Sequence, residues 1–335
     1  MSRPRSAPLD HAALEVVARD VATRLGFVVD FTKEELGSVP RAPSSAHDAI
    51  DMTKLLWSSI DNPESTDLDQ IEWAEKRADG SIRVLVGIAD VDAWIPDGSL
   101  LDRRAAWNTT TLYGGVATFP MLPDALSSGE TSLLEGQERL AVVTEFVVAK
   151  DGEVSDTKVH RARVRNHAKL TYEGIGAWLE SGEGELEPRL AEQVRLQDEA
   201  AQRLRHHRVE NGALELETIE ARAVTREGGV VALAVLHKSR ARELIEDLMI
   251  ATNGATARWL EALRFASLRR VVRTPRRWDR IVDVARERGT KLPEVPDPVA
   301  LAEFLRAQRK SDEAHFADLS LSVVKLLGAG EYAVA

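Results

Sequence analysis

Four acidic residues crowd the stretch IDNPESTDLDQ, which occupies residues 60–70. Three of them, Asp61, Asp67 and Asp69, follow one another at spacings of six and two residues. Carboxylate oxygens without neighbouring histidine or cysteine favour a hard divalent cation such as Mg²⁺, Mn²⁺ or Ca²⁺. Like charges held close together are costly unless a cation shares them. The spacing therefore predicts a divalent-metal site.

Two other interpretations compete for the same stretch. Counted from Asp61, the twelve residues DNPESTDLDQIE imitate a calcium loop of the EF-hand kind. Pro63 offers no ligand at its third position, however, and Thr66 stands at the sixth position, where the sharp turn needs glycine. The remaining alternative is an Asp-rich turn that only caps backbone N–H groups, and composition alone leaves it open.

The segments around the acids alternate like strands. QIEWAEK and IRVLVGIADV flank RADGS, which predicts a hairpin that turns at Asp79-Gly80. This hairpin would bring Asp90 beside the first acids, as a carboxylate supporting the metal ligands. A second hairpin is predicted around Asp151-Gly152, and another strand pair around Gly228-Gly229. Helical patterns cover YEGIGAWLES, PRLAEQVRLQDEAAQRLRHHR and RELIEDLMIATNGATARWLEAL.

The order of these elements predicts a mixed α/β (α+β) fold. Strands come first and helices later without regular alternation, so a partly antiparallel sheet flanked by helices is favoured over a Rossmann sheet. Residues 1–50 form a small helical segment and a linker, with Thr32 capping its second helix. This segment could be a helix-turn-helix. Residues 51–335 form the main domain.

Composition limits the cellular context and the partners. The net charge of −10 argues against a nucleic-acid partner, but residues 161–169, 203–208 and 258–280 are basic patches that could give one positive face. No cysteine is present, which excludes disulfides and thiol catalysis. Without a long apolar run or a secretory signal, we expect a cytoplasmic protein that does not contact membranes.

With these residues in place, the chain resembles the ribonuclease II (RNB) family of exoribonucleases. IDNPESTDLDQ is similar to the family signature I-D-x-x-x-[ST]-x-D-x-D-D. Further similar blocks follow in the family's order through residues 51–335, namely VGIADVDAWIPDGSLLD, FPMLPDALSSGETSLLEGQERLA, NHAKLTYEGI, NGALELE and RELIEDLMIATN.

The resemblance implies an RNB-type catalytic domain that hydrolyses single-stranded RNA from the 3′ end. It implies Mg²⁺, or Mn²⁺ in its place, with nucleoside 5′-monophosphates and a short oligonucleotide as products. We expect a monomer. The implied roles are metal binding and catalysis by Asp61, Asp67 and an indispensable Asp69, a clamp on the RNA by Tyr113, an active-site lining by Tyr172, and contact with the terminal nucleotides by Glu246.

The chain departs from the family pattern in three places. Gln70 stands where a fourth aspartate is usual, so it could orient a ligand but not neutralise a second metal. About 50 residues precede the domain, too few for the family's cold-shock barrels. The sequence ends at Ala335, before the family's arginine-bearing T-S-P-I-R-R-Y-x-D segment and RNA-binding barrel. We expect a fragment, with the missing segment on the rest of the same gene product. The alternative is a catalytically incomplete RNA-binding protein.

Overall fold

The computed structural model describes residues 11–44, 48–217, 220–226, 229–236, 239–272 and 275–335. The helices are α1 (His11–Arg24), α2 (Lys33–Gly37), α3 (Leu100–Asn108), α4 (Tyr172–Ser181), α5 (Pro188–Glu210), α6 (Arg240–Ala262), α7 (Trp278–Glu287), α8 (Pro298–Ser311) and α9 (Phe316–Leu327). A π-helical turn spans Ala125–Glu130 and a 3-10 turn spans Glu313–His315.

The strands are short except for two in the middle of the chain. They are β1 (Ile50–Asp51), β2 (Trp57–Asp61), β3 (Gln70–Lys76), β4 (Ile82–Ala89), β5 (Leu112–Tyr113), β6 (Thr118–Phe119), β7 (Glu138–Val148), β8 (Val154–Thr171), β9 (Glu220–Arg226), β10 (Gly229–Leu236), β11 (Leu268–Val271) and β12 (Glu331–Val334).

The main sheet has the order β1-β8-β2-β3-β4-β7, and β7 also pairs with β8. The 18-residue strand β8 is long enough to run antiparallel to β7 and then parallel to β2. Because β8 has partners at both ends of this series, the strands close into a circuit. Parallel and antiparallel pairs coexist, which confirms the predicted mixed α/β class.

Both tight hairpins form where the sequence predicts them. β3 and β4 pair antiparallel around Gly80, and β7 and β8 pair antiparallel around Gly152. These glycines have φ values of +82° and +84°, which residues with a Cβ rarely adopt. The predicted third pair also forms as β9 and β10, although part of its turn, including position 228, lies outside the described residues.

Three helices cover one face of the sheet. α4, α5 and α6 pack their apolar residues against Ile60, Val84 and Phe146, all fully buried. The predicted long helix is confirmed as α6, and its buried residues repeat at helical spacing. The predicted helical pattern extended to Leu263, but this residue lies beyond the last helical residue and is 49% exposed. The expectation for Leu263 was therefore wrong.

The N-terminal helices rest on the main domain. The predicted Thr32 cap is present: its hydroxyl accepts from the Glu35 N–H at 3.1 Å, and Glu35 accepts from the Thr32 N–H at 2.7 Å. Asn108 at the end of α3 exchanges hydrogen bonds with the backbone of Val28. Within the described residues, no helix is long and apolar enough to cross a membrane.

Candidate functional site

The signature acids lie at one edge of the sheet. β2 and β8 run parallel, and Asp61 at the end of β2 pairs with Thr171 at the end of β8. Gln70 begins the antiparallel strand β3 and pairs with Ile88 near the end of β4. The β2–β3 connection, the start of α4 and the end of β4 therefore meet at this edge, as the sequence blocks imply.

The loop that carries the acids is held from two sides. The Lys169 ammonium group of β8 donates to the carbonyl oxygens of Pro63 at 2.9 Å and Ser65 at 2.6 Å. On the other side, the Ser132 hydroxyl accepts from the Leu68 N–H at 3.0 Å and donates to the Thr66 carbonyl at 2.8 Å. These contacts fix the backbone from which Asp67 and Asp69 project.

Each acid has a distinct environment. Asp61 Oδ1 accepts from the Ser65 hydroxyl at 3.0 Å and from the Asn62 N–H at 2.6 Å. Asp67 Oδ2 accepts from the Tyr113 hydroxyl at 2.6 Å. Limited hydration at this crowded edge raises the pKa of Asp69, and the negative charges of Asp61 and Asp67 raise it further. The three carboxylates thus repel one another at close range.

The structure does not assemble these acids into a coordination sphere. Across the described ranges, no group of three or more His, Cys, Asp or Glu side chains is arranged to hold a metal ion. Asp61 and Asp67 instead make the hydrogen bonds to serine and tyrosine described above. The metal site of Asp61, Asp67 and Asp69 stays a prediction based on donor chemistry and on their mutual repulsion.

A further acid at this edge, Glu72 on β3, was missed by the sequence reasoning. Its side chain is fully buried, and neither carboxylate oxygen has a hydrogen-bond partner among the described residues. Burial raises the pKa of Glu72 well above its ordinary value, and the charges of Asp69 and Asp61 add to the shift. The available signal was the alternation of β3, which puts Gln70 and Glu72 on one face two residues apart.

An open cleft of about 870 Å³ is lined by Asp67 and by the neighbouring residues of the β2–β3 connection. The β5–β6 hairpin forms one wall and exposes 67% of Tyr113. The hydrogen bond to Asp67 raises the pKa of Tyr113 to about 12, so its hydroxyl remains protonated at neutral pH. The residues that line the cleft include Asn62, Glu64, Asp67, Asp124 and Arg242.

Tyr172 lies close to the acid cluster. It begins α4 directly after β8, and burial raises its pKa to about 12, with a contribution from the negative charge of Asp61. The Arg242 guanidinium carbon lies 4.3 Å from the centre of its ring. The predicted residues Tyr113, Tyr172 and the three aspartates are therefore brought to one region of the surface.

The other predicted site residues, Asp90, Glu246 and Gln70, have different surroundings. Asp90 is buried, with one oxygen 2.8 Å from Arg161 Nε and the other accepting from the Ala93 N–H at 3.2 Å. Glu246 is exposed on α6 and lines a different, smaller pocket. Gln70 is largely buried at the start of β3. The structure thus uses Asp90 in an ion pair rather than in the acid cluster.

Two of the basic patches are largely matched by acids. In residues 161–169, Arg161, Arg163 and Arg165 each form an ion pair with an acid of a neighbouring segment. In residues 203–208, Arg203 pairs with Glu199 of its own helix α5, and Arg205 and Arg208 pair with acids of α6. These arginines therefore stabilise the packing of strands and helices and do not form the free positive face that the sequence suggested.

Comparisons with known proteins show which family the chain is similar to. The RNB domain family matches residues 49–334. Ribonuclease R of Vibrio parahaemolyticus is 32% identical over 230 residues, covering 68% of this chain and 27% of its own length. Exoribonuclease 2 of Klebsiella pneumoniae is 34% identical over 215 residues, covering 63% of this chain and 33% of its own length.

The fold also matches a solved relative. Mycoplasma genitalium RNase R in complex with ribose methylated single-stranded RNA superposes with a TM-score of 0.87 at 21% identity, over 96% of this chain and 51% of that one. The chain belongs to the RNB domain family, which confirms the resemblance seen in the sequence. It spans about half of the RNase R chain and about a third or less of the two sequence relatives.

Proposed function

We propose that this chain provides the catalytic domain of a divalent-metal-dependent 3′→5′ exoribonuclease acting on single-stranded RNA. The observation that carries the proposal is the 2.6 Å contact between Tyr113 and Asp67. It joins an exposed aromatic ring, suited to stacking on a base, to the acid cluster of the family signature in a single cleft. Relatives named ribonuclease R and exoribonuclease 2 support the reaction.

The residues present suit a divalent cation by their chemistry. Asp61, Asp67 and Asp69 supply hard oxygen donors that repel one another, and the two oxygens of buried Glu72 beside them have no hydrogen-bond partner among the described residues. We propose that the three aspartates hold Mg²⁺, with Mn²⁺ able to replace it. When bound, such an ion polarises a phosphate and lowers the pKa of a water molecule.

The protein's own side chains would position the RNA. Tyr113 presents its ring to the cleft, and stacking of a base on an aromatic ring contributes about 1–3 kcal/mol whatever the base is. Tyr172 and the aspartates would surround the last phosphodiester bond, whose hydrolysis gives a nucleoside 5′-monophosphate. Glu246 would contact the terminal nucleotides.

The test is an assay on 5′-labelled single-stranded RNA with Mg²⁺, Mn²⁺ or EDTA. We expect a ladder that shortens from the 3′ end, needs a divalent cation and is absent with Asp69→Asn. Asp92→Asn is the matched control, because Asp92 is an exposed aspartate that pairs with Arg161 and does not line the cleft. RNA binding without shortening under every condition would overturn the catalytic proposal and leave an RNA-binding protein.

A further inference from the structure

Arg242 occupies an unfavourable position for a structural arginine. It lies in the first turn of α6, whose cap is Ser239. The N-terminal end of a helix carries partial positive charge, so a cation there costs stability unless an anion offsets it. Its neighbour Arg240 has such an anion, with its Nε 2.6 Å from Asp198. Arg242 forms no ion pair with any described residue.

Two contacts hold the Arg242 guanidinium. Its Nη2 donates to Asn62 Oδ1 at 3.1 Å, and its carbon lies 4.3 Å from the centre of the Tyr172 ring. Asn62 directly follows Asp61, so the guanidinium lies beside the acid cluster. A guanidinium has five N–H donors, and these two contacts leave most of them available to a ligand.

The charge of the cleft makes this position informative. Its lining contains the acids Glu64, Asp67 and Asp124, and Arg242 is the one basic residue among the described lining residues. Among these described lining residues, a polyanion entering the cleft therefore meets one cation, which is half-buried against the ring of Tyr172. Arginine presents paired donors that match the geometry of a phosphate group.

We propose that Arg242 is a positioning residue that binds one backbone phosphate of the RNA beside the acid cluster. This assignment rests on the proposed function, since it presumes an RNA strand in the cleft. The guanidinium would donate to the two non-bridging oxygens of the phosphate and so fix the strand against Asp67 and Tyr113. A purely structural Arg242 would only hold Asn62 and Tyr172 in place.

The test measures binding of a fluorescent single-stranded RNA in EDTA, which blocks hydrolysis under the proposed function. Arg242→Gln should weaken binding about 10- to 100-fold, the range for a lost charge-assisted hydrogen bond. The slope of log affinity against log salt should become shallower by about 0.7, the value for one phosphate in a single strand. Arg242→Lys should keep that slope while losing part of the affinity.

The matched control is Arg195→Gln, because Arg195 stacks on Trp178 at 4.8 Å in a different pocket. A second measurement replaces single phosphates of the RNA with neutral methylphosphonates. At the contacted phosphate, the replacement should weaken binding to the unaltered chain but not to Arg242→Gln. If every methylphosphonate weakened binding equally in the unaltered chain and in Arg242→Gln, or if these two proteins bound RNA with the same affinity, the role of Arg242 would be overturned and the proposed function would stand. Failure of the unaltered chain to bind RNA would overturn the proposed function with it.

Discussion

Replacing Glu72 by glutamine should stabilise the protein, and the gain should grow as the pH rises. Glu72 is fully buried beside Asp61 and Asp69, and neither of its carboxylate oxygens has a hydrogen-bond partner among the described residues. An ionised carboxylate in that position would be costly, so its pKa lies well above the ordinary value. The folded protein therefore keeps Glu72 protonated at a pH where the unfolded chain has lost the proton.

The size of the effect follows from this difference in proton binding. In the unfolded chain, a glutamate ionises near pH ~4.3. Between that pH and the higher pKa of folded Glu72, the folded state binds one proton more than the unfolded state. The free energy of unfolding then falls by about 1.4 kcal/mol for each pH unit. The contribution is fully present below the unfolded pKa and is lost as the pH rises through the folded pKa.

Glutamine has nearly the same shape and no charge, so Glu72→Gln removes this dependence. The assay is urea unfolding followed by circular dichroism at pH 5, 6, 7 and 8, chosen values that all exceed the unfolded pKa of about 4.3. EDTA keeps cations out of the comparison. Glu75→Gln on the same strand is the control, because exposed substitutions usually change stability by less than about 0.5 kcal/mol. A stability difference between Glu72→Gln and the unaltered chain that is constant across pH would refute the reasoning.

Three further substitutions test the cleft and the frame that carries it. Tyr113→Phe keeps the ring but removes the hydrogen bond to Asp67, so RNA affinity measured by fluorescence anisotropy should stay within about twofold. Tyr113→Ala removes the ring and should lose about 1–3 kcal/mol of binding free energy. Equal losses in the two variants would contradict a stacking role. Asp69→Asn should slow hydrolysis at least about 100-fold on denaturing gels while leaving the urea midpoint close to that of the unaltered chain, and unfolding of the variant would contradict a role in the site alone. Gly152→Ala should destabilise the chain by about 1–3 kcal/mol in urea, because its φ is +84° and a Cβ would collide with the carbonyl oxygen of Arg203; an unchanged midpoint would contradict the tight β7–β8 turn.

Much of the fold could be predicted because its signals are local. Glycine at Gly80 and Gly152 predicts tight turns, and both hairpins form there. The apolar spacing of α4 and α6 predicts their extents within a few residues. The closure of the sheet was not predicted, because it depends on the last part of β8 pairing with β2, a strand far away along the chain, and this pairing leaves no signal in the local sequence.

The acid cluster could be predicted in part for the same reason. Spacing along the chain identifies Asp61, Asp67 and Asp69, since all three lie between the last residue of β2 and the start of β3. Burial of Glu72 could not be read from QIEWAEK, whose alternation fits a half-exposed strand equally well. Its face is covered because Gln193 and Gln197 of α5 bond the backbone of β3, a contact between residues more than 100 positions apart.

Two residues of α6, Glu246 and Arg242, differ in how they were found: the family resemblance implies a role for Glu246, and the structure shows the position of Arg242. The two residues lie four positions apart, on the same side of α6 and one turn from each other. Arg242 is closer to the start of the helix and lines the cleft with Asp67, whereas Glu246 lines the pocket that contains Arg205 and Arg208. The family motif points to Glu246 of α6, and in the structure Arg242 in the first turn of the same helix lines the cleft.

The most direct test of the central claim labels only the last internucleotide phosphate of a single-stranded RNA. In the presence of Mg²⁺ the chain should release that label from the earliest time as a nucleoside 5′-monophosphate, while a 5′ label on the same strand stays on long oligonucleotides. An Asp69→Asn chain should release neither label. Label appearing first in internal fragments, or remaining on intact RNA at every time, would contradict a 3′→5′ exoribonuclease built on this acid cluster.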